Sequence, residues 1–230
     1  MTKIQFRKAF PAFWLLVLID LVAISFNFSW LDSISKPLLM PALLIILVYA
    51  GIASTGRKLI ATGLFFSWLG DVFLLFESGE ALFFIAGLVS FLITHICYII
   101  YFLSARSSAH SLLKKQPVYI LLILLYGTGL VWLLFPYLGG LKVPVILYAA
   151  VICSMLLCSI HIYTKVKGPA NRYFVSGAVL FVLSDSILAI NKFYQPLPLA
   201  GTWLMLSYCA AQYFIVRGEL EGEGNMGYRK

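Results

Sequence analysis

The sequence predicts an all-α membrane protein, a bundle of about eight transmembrane helices with both termini in the cytoplasm. Hydrophobic residues make up 62% of the 230 positions and charged residues only 11%, whereas a soluble domain is about half apolar and a quarter charged. The mean hydropathy is +0.96. Apolar stretches long enough to cross a bilayer as helices, about 20 residues each, recur along the chain. Residues 1–217 are expected to form one transmembrane domain, with a polar cytoplasmic tail over 218–230.

Eight apolar stretches are predicted to span the membrane, and the short segments between them hold nearly every charge. The N-terminus is basic, but no small-residue cleavage site follows the first stretch, so we expect a retained helix instead of a signal peptide. All four cysteines fall inside spans and are expected to be core residues. The predicted spans cover residues 10–28, 37–53, 59–76, 81–103, 117–136, 143–163, 172–190 and 198–216.

The distribution of basic residues predicts the orientation of these spans. Three precede the first span, two follow the second, and three follow each of the fourth, sixth and eighth, which places 14 on one side of the membrane. The other side carries three, Lys36, Lys142 and Lys192. Basic loops stay in the cytoplasm, which in a bacterium makes this an inner-membrane protein. The net charge of +8 is spread through short loops that face anionic lipid, so it does not indicate a nucleic-acid partner.

Two carboxylates lie inside apolar spans, Asp71 in the third and Asp185 in the seventh. A charged residue at the centre of a membrane helix costs roughly 2.5–3.5 kcal/mol on insertion scales, so such residues usually serve a function. Both lie five residues before the predicted outer end of their span, which predicts a common depth roughly 7–8 Å below the outer interface. The alternative is a structural acid bonded to Ser or Tyr, which is equally plausible for Asp20 in the first span.

Polar residues on the same and neighbouring spans are the candidates for orienting these acids or binding a substrate. Those of the fourth span lie on an aromatic face, and the eighth span repeats polar positions at helical spacing. Lys36, expected just outside the second span, is placed to reach inward or to act as an interfacial anchor. These candidates are Lys36, Ser67, His95, Tyr98, Ser184, Tyr208 and Gln212.

Two carboxylates in a site of low dielectric do not easily both ionise, so one would serve as an acid and the other as a base. Such a pair suits a bond whose cleavage begins with protonation and passes through an oxocarbenium-like cation. A catalytic zinc site is not expected, because zinc normally takes three protein ligands and only His95 lies deep in a span. The sequence also lacks a GxSxG elbow and a Walker loop, and no cofactor is predicted.

The motifs assembled here resemble those of the YhhN/TMEM86 family, the multispanning lysoplasmalogenases. Individually each motif is weak, but together they extend over about residues 36–215 and are specific. They are Lys36-Pro37, Phe66-Ser67, Gly70-Asp71, Leu74, Phe84, Gly87, Phe91, His95, Tyr98, Gly177-Ala178, Phe181, Ser184-Asp185-Ser186, Leu188-Ala189, Tyr208, Ala211-Gln212 and Ile215.

The resemblance implies an eight-helix hydrolase that cleaves the vinyl ether of lysoplasmalogens, the sn-1 alkenyl lysoglycerophospholipids of choline and ethanolamine. It implies that Asp71 and Asp185 share the acid and base roles, in either order, and that Lys36 holds the phosphate. Three alternatives stay open at this point: a proton-coupled lipid or small-molecule transporter that uses the buried acids, a lipid scaffold or sensor, and a metal-dependent ceramidase-like hydrolase. The last is disfavoured by the small number of buried histidines.

Overall fold

A computed structural model describes residues 9–51, 54–76, 81–104, 111–166 and 168–222, and all regular structure in these ranges is helical. A long helix overlaps each of the eight predicted spans, which confirms the all-α class. A four-residue helix, Leu112–Lys115, precedes α5, and a π-helical turn, Ile190–Tyr194, follows α7. The long helices are α1 Phe10–Ser25, α2 Ser29–Tyr49, α3 Thr55–Leu75, α4 Ala81–Ser104, α5 Val118–Leu134, α6 Lys142–His161, α7 Ala170–Ala189 and α8 Ala200–Gly222.

Six helical segments in the described part of the chain are long and apolar enough to cross a bilayer, so the protein is a multi-pass integral membrane protein. Helix α1 is also apolar but has only 16 residues. Helix α8 is not among the six, and it carries Arg217, Glu219 and Glu221 near its end. The six segments are Ser29–Tyr49, Thr55–Leu75, Leu82–Ser104, Val118–Tyr137, Gly139–His161 and Ala170–Tyr194.

The helices form two compact units. The first holds α1, α2, α3 and α4 as far as Tyr101, and the second begins at Phe102 and holds α5 to α8. In the first unit α3 and α4 pack closely, because α3 presents glycine where α4 presents aromatic rings. A Cβ atom at Gly63 would lie 2.5 Å from the Tyr98 ring, and one at Gly70 would lie 2.7 Å from the Phe91 ring. These glycines therefore let α4 approach α3 closely.

Helix α2 begins at Ser29, eight residues before the predicted start at residue 37, so that prediction was wrong. The serines do not interrupt the helix. Ser33 donates to the carbonyl of Ser29 at 2.8 Å, and Ser35 Oγ lies 2.9 Å from the carbonyl oxygen of Leu31. Asp32 in the first turn complements the helix dipole. Lys36 therefore lies inside α2, and Pro37 is tolerated within the helix.

Arg57, counted above as a loop charge, is buried at the junction of α2 and α3. Its guanidinium group donates to the carbonyls of Ala50, at 2.7 Å, and Gly51, beyond the last turn of α2. A cation stabilises the carbonyls that a helix C-terminus leaves without partners. Arg57 thus terminates α2 as well as contributing to the positive charge on its side of the membrane.

The end of the chain also differs from the prediction. Helix α8 continues to Gly222, so the first five residues of the predicted tail, 218–222, are helical. Glu219 among them is only 1% exposed. Residues 223–230, the remainder of the predicted tail, lie outside the described residues.

In the second unit α7 and α8 are in close contact at Gly177. A Cβ atom there would lie 2.8 Å from Ile215 Cγ1 and 3.0 Å from the backbone carbonyl oxygen of Ala211, which cannot rotate away. We expect Gly177→Ala to destabilise the protein by about 1–3 kcal/mol, measured as a lower midpoint of thermal unfolding in detergent. Gly129→Ala on α5 is the matched control, since a Cβ atom there meets nothing within 4 Å. Equal midpoints for both variants would contradict this close packing.

Candidate active site

Asp71 lies on α3 in the first unit and is 2% exposed. A hydroxyl network holds α4 against the same face of α3. Ser67, one turn before Asp71, lies with its Oγ 3.1 Å from Oγ1 of Thr94, and Thr94 donates to the carbonyl of Gly63 at 3.0 Å. Since a membrane interior offers no water to these groups, the network fixes the rotation of α3 and thereby the direction of Asp71.

The antiparallel register of α3 and α4 gives the depth of the other first-unit candidates. Ser67 faces Thr94 and Gly70 faces Phe91, so Asp71 lies at the level of Ser90. His95 and Tyr98 are fully buried, as expected of functional residues in a span. By the same register His95 lies opposite residue 66, roughly 7.5 Å along the helix axis from Asp71.

Lys36 is half-buried on α2, at about the depth of Asp71. Met40 of α2 and Trp68 of α3 line one small groove. The two helices are antiparallel, so residues before Met40 lie at the level of residues after Trp68. Lys36 is four residues before Met40, and Asp71 is three residues after Trp68, so the two lie about one turn beyond the groove on the same side. The predicted depth of Lys36 is therefore consistent with the structure, although its predicted position outside the helix is not.

Asp185 lies on α7 in the second unit and is partly buried. Tyr148 of α6 donates its hydroxyl hydrogen to Oδ2 of Asp185 at 2.6 Å. A short hydrogen bond to a carboxylate stabilises the negative charge and fixes its orientation.

The two serines beside Asp185 bind backbone. Ser184 donates to the carbonyl of Leu204 on α8 at 3.1 Å, and Ser186 donates to that of Val182 at 2.6 Å. Ser186 also accepts a hydrogen bond from Tyr126 of α5 at 2.7 Å. These bonds join α5 and α8 to α7 at the turn that carries Asp185. They support a positioning role for Ser184.

Tyr208 and Gln212 on α8 are both buried, but they lie at different depths. The Tyr208 ring meets Phe181 edge-on, with centroids 5.6 Å apart, one turn from Asp185. Gly177 is opposite Ala211, so Gln212 is opposite residue 176, about nine residues from Asp185 along α7 or roughly 13.5 Å. Tyr208 is therefore nearer to the level of the acid than Gln212.

Three residues of these networks, Thr94, Tyr126 and Tyr148, were not among the predicted candidates. Each carries a hydroxyl group inside an otherwise apolar span, where such a group needs a partner. That signal was present in the sequence. It does not say which partner each hydroxyl finds.

Together these contacts describe what each acid can do chemically. Asp71 is buried in a span that excludes bulk water, which suits an acid that delivers its proton to a substrate. Asp185 receives a phenol hydrogen bond that orients its carboxyl group, which suits a group that faces and stabilises a developing cation.

The chain matches known sequences over most of its length. The family model described as the YhhN family matches residues 31–219. The human lysoplasmalogenase TMEM86A is 29% identical over 205 residues, covering 84% of this chain and 80% of the relative. The mouse lysoplasmalogenase TMEM86B is 31% identical over 199 residues, covering 85% and 78%. A lysoplasmalogenase of Mycobacterium bovis is 30% identical over 167 residues, covering 66% and 59%. No solved structure matches the chain.

Proposed function

The chain belongs to the YhhN family, and from that membership we propose that it is a lysoplasmalogenase, a hydrolase of the vinyl ether bond in sn-1 alkenyl lysoglycerophospholipids. The observation that carries this proposal is the similarity, at about 30% identity over most of the chain, to relatives named lysoplasmalogenases. The products are a fatty aldehyde and glycerophosphocholine or glycerophosphoethanolamine. The reaction consumes one water molecule and requires no cofactor.

Asp71 and Asp185 are the proposed acid and base. A proton adds to the outer alkene carbon of the vinyl ether, which leaves an oxocarbenium ion at the carbon that bears oxygen. Water adds to that carbon and loses a proton, and the hemiacetal collapses to the aldehyde and the glycerol hydroxyl. Each step of this reaction is a proton transfer, the addition of water or the release of the glycerol oxygen as it is protonated. Two carboxylates can assist all of these steps.

We assign the proton donor role to Asp71 and the carboxylate role to Asp185. The hydrogen bond from Tyr148 supports this assignment, because its hydroxyl group donates to Oδ2 and so holds Asp185 as a hydrogen-bond acceptor in a fixed orientation. Negative charge beside the oxocarbenium ion stabilises it electrostatically, and the same carboxylate can accept the proton of the attacking water. Burial shields Asp71 from bulk water, which supports its role as the group that delivers a proton to the substrate.

The remaining candidates have supporting roles in this proposal. Lys36 holds the phosphate of the substrate. Ser67 and Ser184 position the helices that carry the acids, since both hydroxyl groups take part in helix-to-helix hydrogen bonds. His95, Tyr98, Tyr208 and Gln212 orient the acids and the glycerol oxygen of the substrate.

The experiment that tests this function uses the purified protein in detergent with lysoplasmenylethanolamine. Mass spectrometry should detect the fatty aldehyde, unchanged by a metal chelator. In D₂O the aldehyde should carry one deuterium on the carbon next to the carbonyl group, because protonation of the alkene places a solvent hydrogen there. Folded protein that releases no aldehyde from any alkenyl lysolipid would refute the proposal. Aldehyde without this deuterium would refute the mechanism alone.

We also propose eight membrane spans within one transmembrane domain, with both termini in the cytoplasm, and location in the inner membrane if the source is bacterial. The 14 basic residues on the terminal side against three on the other support this orientation. A C-terminal fusion to a fluorescent protein that folds only in the cytoplasm is expected to be fluorescent. If this fusion is not fluorescent, and a C-terminal fusion to alkaline phosphatase is enzymatically active instead, the C-terminus lies outside the cytoplasm and the proposed orientation is wrong.

A further inference from the structure

A cluster of charged residues on α1 and α2 has no part in the acid and base chemistry proposed above. Asp20 of α1 accepts a hydrogen bond from Ser35 of α2, with 2.7 Å between Ser35 Oγ and Asp20 Oδ1. Asp32 and Lys36 lie three residues before and one residue after Ser35, so the three side chains share one face of α2. Asp20 interacts electrostatically with both Asp32 and Lys36. The cluster is therefore a compact group of two carboxylates, one ammonium group and one hydroxyl group.

The cluster has polar atoms that the described residues leave without partners. Asp20 is 1% exposed, and its second oxygen, Oδ2, is buried with no hydrogen-bond partner in the described part of the chain. Oδ1 of Asp32 is buried in the same way. A buried carboxylate oxygen without a donor costs free energy that a bound donor would recover.

The charges of the cluster do not cancel. With all three groups ionised, two carboxylates face one ammonium group, which leaves one negative charge. Asp32 and Lys36 are half-buried, so the cluster reaches the protein surface through them while Asp20 lies beneath. A ligand that brought one ammonium group would place N–H donors at both buried oxygens and a positive charge beside the two carboxylates.

We propose that Asp20, Asp32 and Lys36 form a binding site for the zwitterionic headgroup of a lysoglycerophospholipid, preferentially phosphoethanolamine. The two carboxylates bind the ammonium group, whose N–H bonds can donate to Asp20 Oδ2 and Asp32 Oδ1, and Lys36 binds the phosphate. Asp32 and Lys36 are one helical turn apart, a separation comparable with that between ammonium and phosphate in phosphoethanolamine. A choline headgroup carries the charge but has no N–H bond to donate, so it satisfies the site less well.

This inference rests on the proposed function, because it takes the ligand to be a lysolipid, but it extends that function to headgroup selection. The register of α2 and α3 described above places Lys36 near the depth of Asp71 in the same unit. A headgroup held by the cluster would thus be anchored at the level of the proposed proton donor. That arrangement would fix the glycerol backbone before the vinyl ether reacts.

The test measures binding of lipids that the protein cannot cleave. Saturated 1-O-alkyl lysophosphatidylethanolamine keeps the headgroup but lacks the vinyl ether, and the matching alkyl lysophosphatidylglycerol replaces the ammonium group by a neutral glycerol. We expect the wild type in detergent to bind the ethanolamine lipid at least about tenfold more tightly, as for a hydrogen-bonded charge pair. Asp20→Asn and Asp32→Asn should each remove most of this preference and change binding of the glycerol lipid less than about threefold.

Glu221→Gln is the matched control, because it changes a carboxylate to an amide at an ion pair with Arg217 far along the chain. It should keep the full preference. In Asp20→Asn the amide oxygen can still accept the hydrogen bond from Ser35. If that variant does not fold, Asp32→Asn, at a half-buried position, provides the same test. A wild type without preference, or folded variants that keep it, would overturn the headgroup site.

The two proposals fail separately. Since the alkyl lipids are not cleaved, a headgroup preference that disappears in the variants would stand even if no alkenyl lipid were hydrolysed, and only the proposed function would be lost. Aldehyde formation by a wild type that binds both alkyl lipids equally would refute the headgroup site and leave the hydrolase assignment intact.

Discussion

Asp71→Asn is expected to lower the turnover of lysoplasmenylethanolamine by about 1,000-fold, within the range for loss of a general acid. The amide has nearly the same shape as the carboxylic acid and retains hydrogen-bonding capacity, but it cannot deliver a proton to carbon. Aldehyde release at saturating substrate measures the effect. Because the loss is in the chemical step, binding of the uncleavable alkyl lysolipid should change less than about threefold.

Glu221→Gln again serves as the control for this variant, since it exchanges the same functional groups at an ion pair of the end of α8. Its partner Arg217 is partly exposed, and a pair of this kind contributes about 0–1 kcal/mol, so the activity of the variant should equal that of the wild type. A folded Asp71→Asn protein with turnover within about tenfold of the wild type would exclude Asp71 as the proton donor.

Asp185→Asn is expected to lower turnover by about 100- to 1,000-fold, because a neutral amide stabilises the oxocarbenium ion poorly and cannot accept a proton from water. The assay is the same aldehyde release. The amide oxygen can still accept the hydrogen bond from Tyr148, so the packing of α6 against α7 should be retained, and thermal unfolding should occur near the wild-type temperature.

The hydrogen bond between Tyr148 and Asp185 provides an internal check on that role. Tyr148→Phe should reduce turnover by about tenfold in the wild type, as for the loss of a hydrogen bond to a charged group. In the Asp185→Asn background the same substitution should cost less than about threefold, because the charge it supports is already gone. Tyr137→Phe, which changes an exposed ring, is the control and should leave turnover unchanged in both backgrounds. Equal losses in the two backgrounds would show that Tyr148 acts independently of Asp185.

The sequence alone determined the class of this protein and the position of its helices along the chain. Each apolar stretch has a transfer free energy that is nearly a sum over its own residues, so helices near 59–76 and 172–190 could be predicted without knowledge of their neighbours. The same local sum marks Asp71 and Asp185 as costly residues in apolar surroundings. Where local signals competed, as the serines and prolines did at the start of α2, the predicted boundary was wrong by eight residues.

The tertiary structure alone decided which polar groups meet. Composition indicates that Tyr148 needs a partner, but only the rotation of α6 and its register against α7 bring its hydroxyl group to Asp185. In the same way, Ser35 meets Asp20 because α1 and α2 pack with those two turns at one level, which places Asp32 and Lys36 beside a buried acid. The register and rotation of a helix depend on how the whole surfaces of two helices fit together, so they cannot be predicted from the sequence of one span.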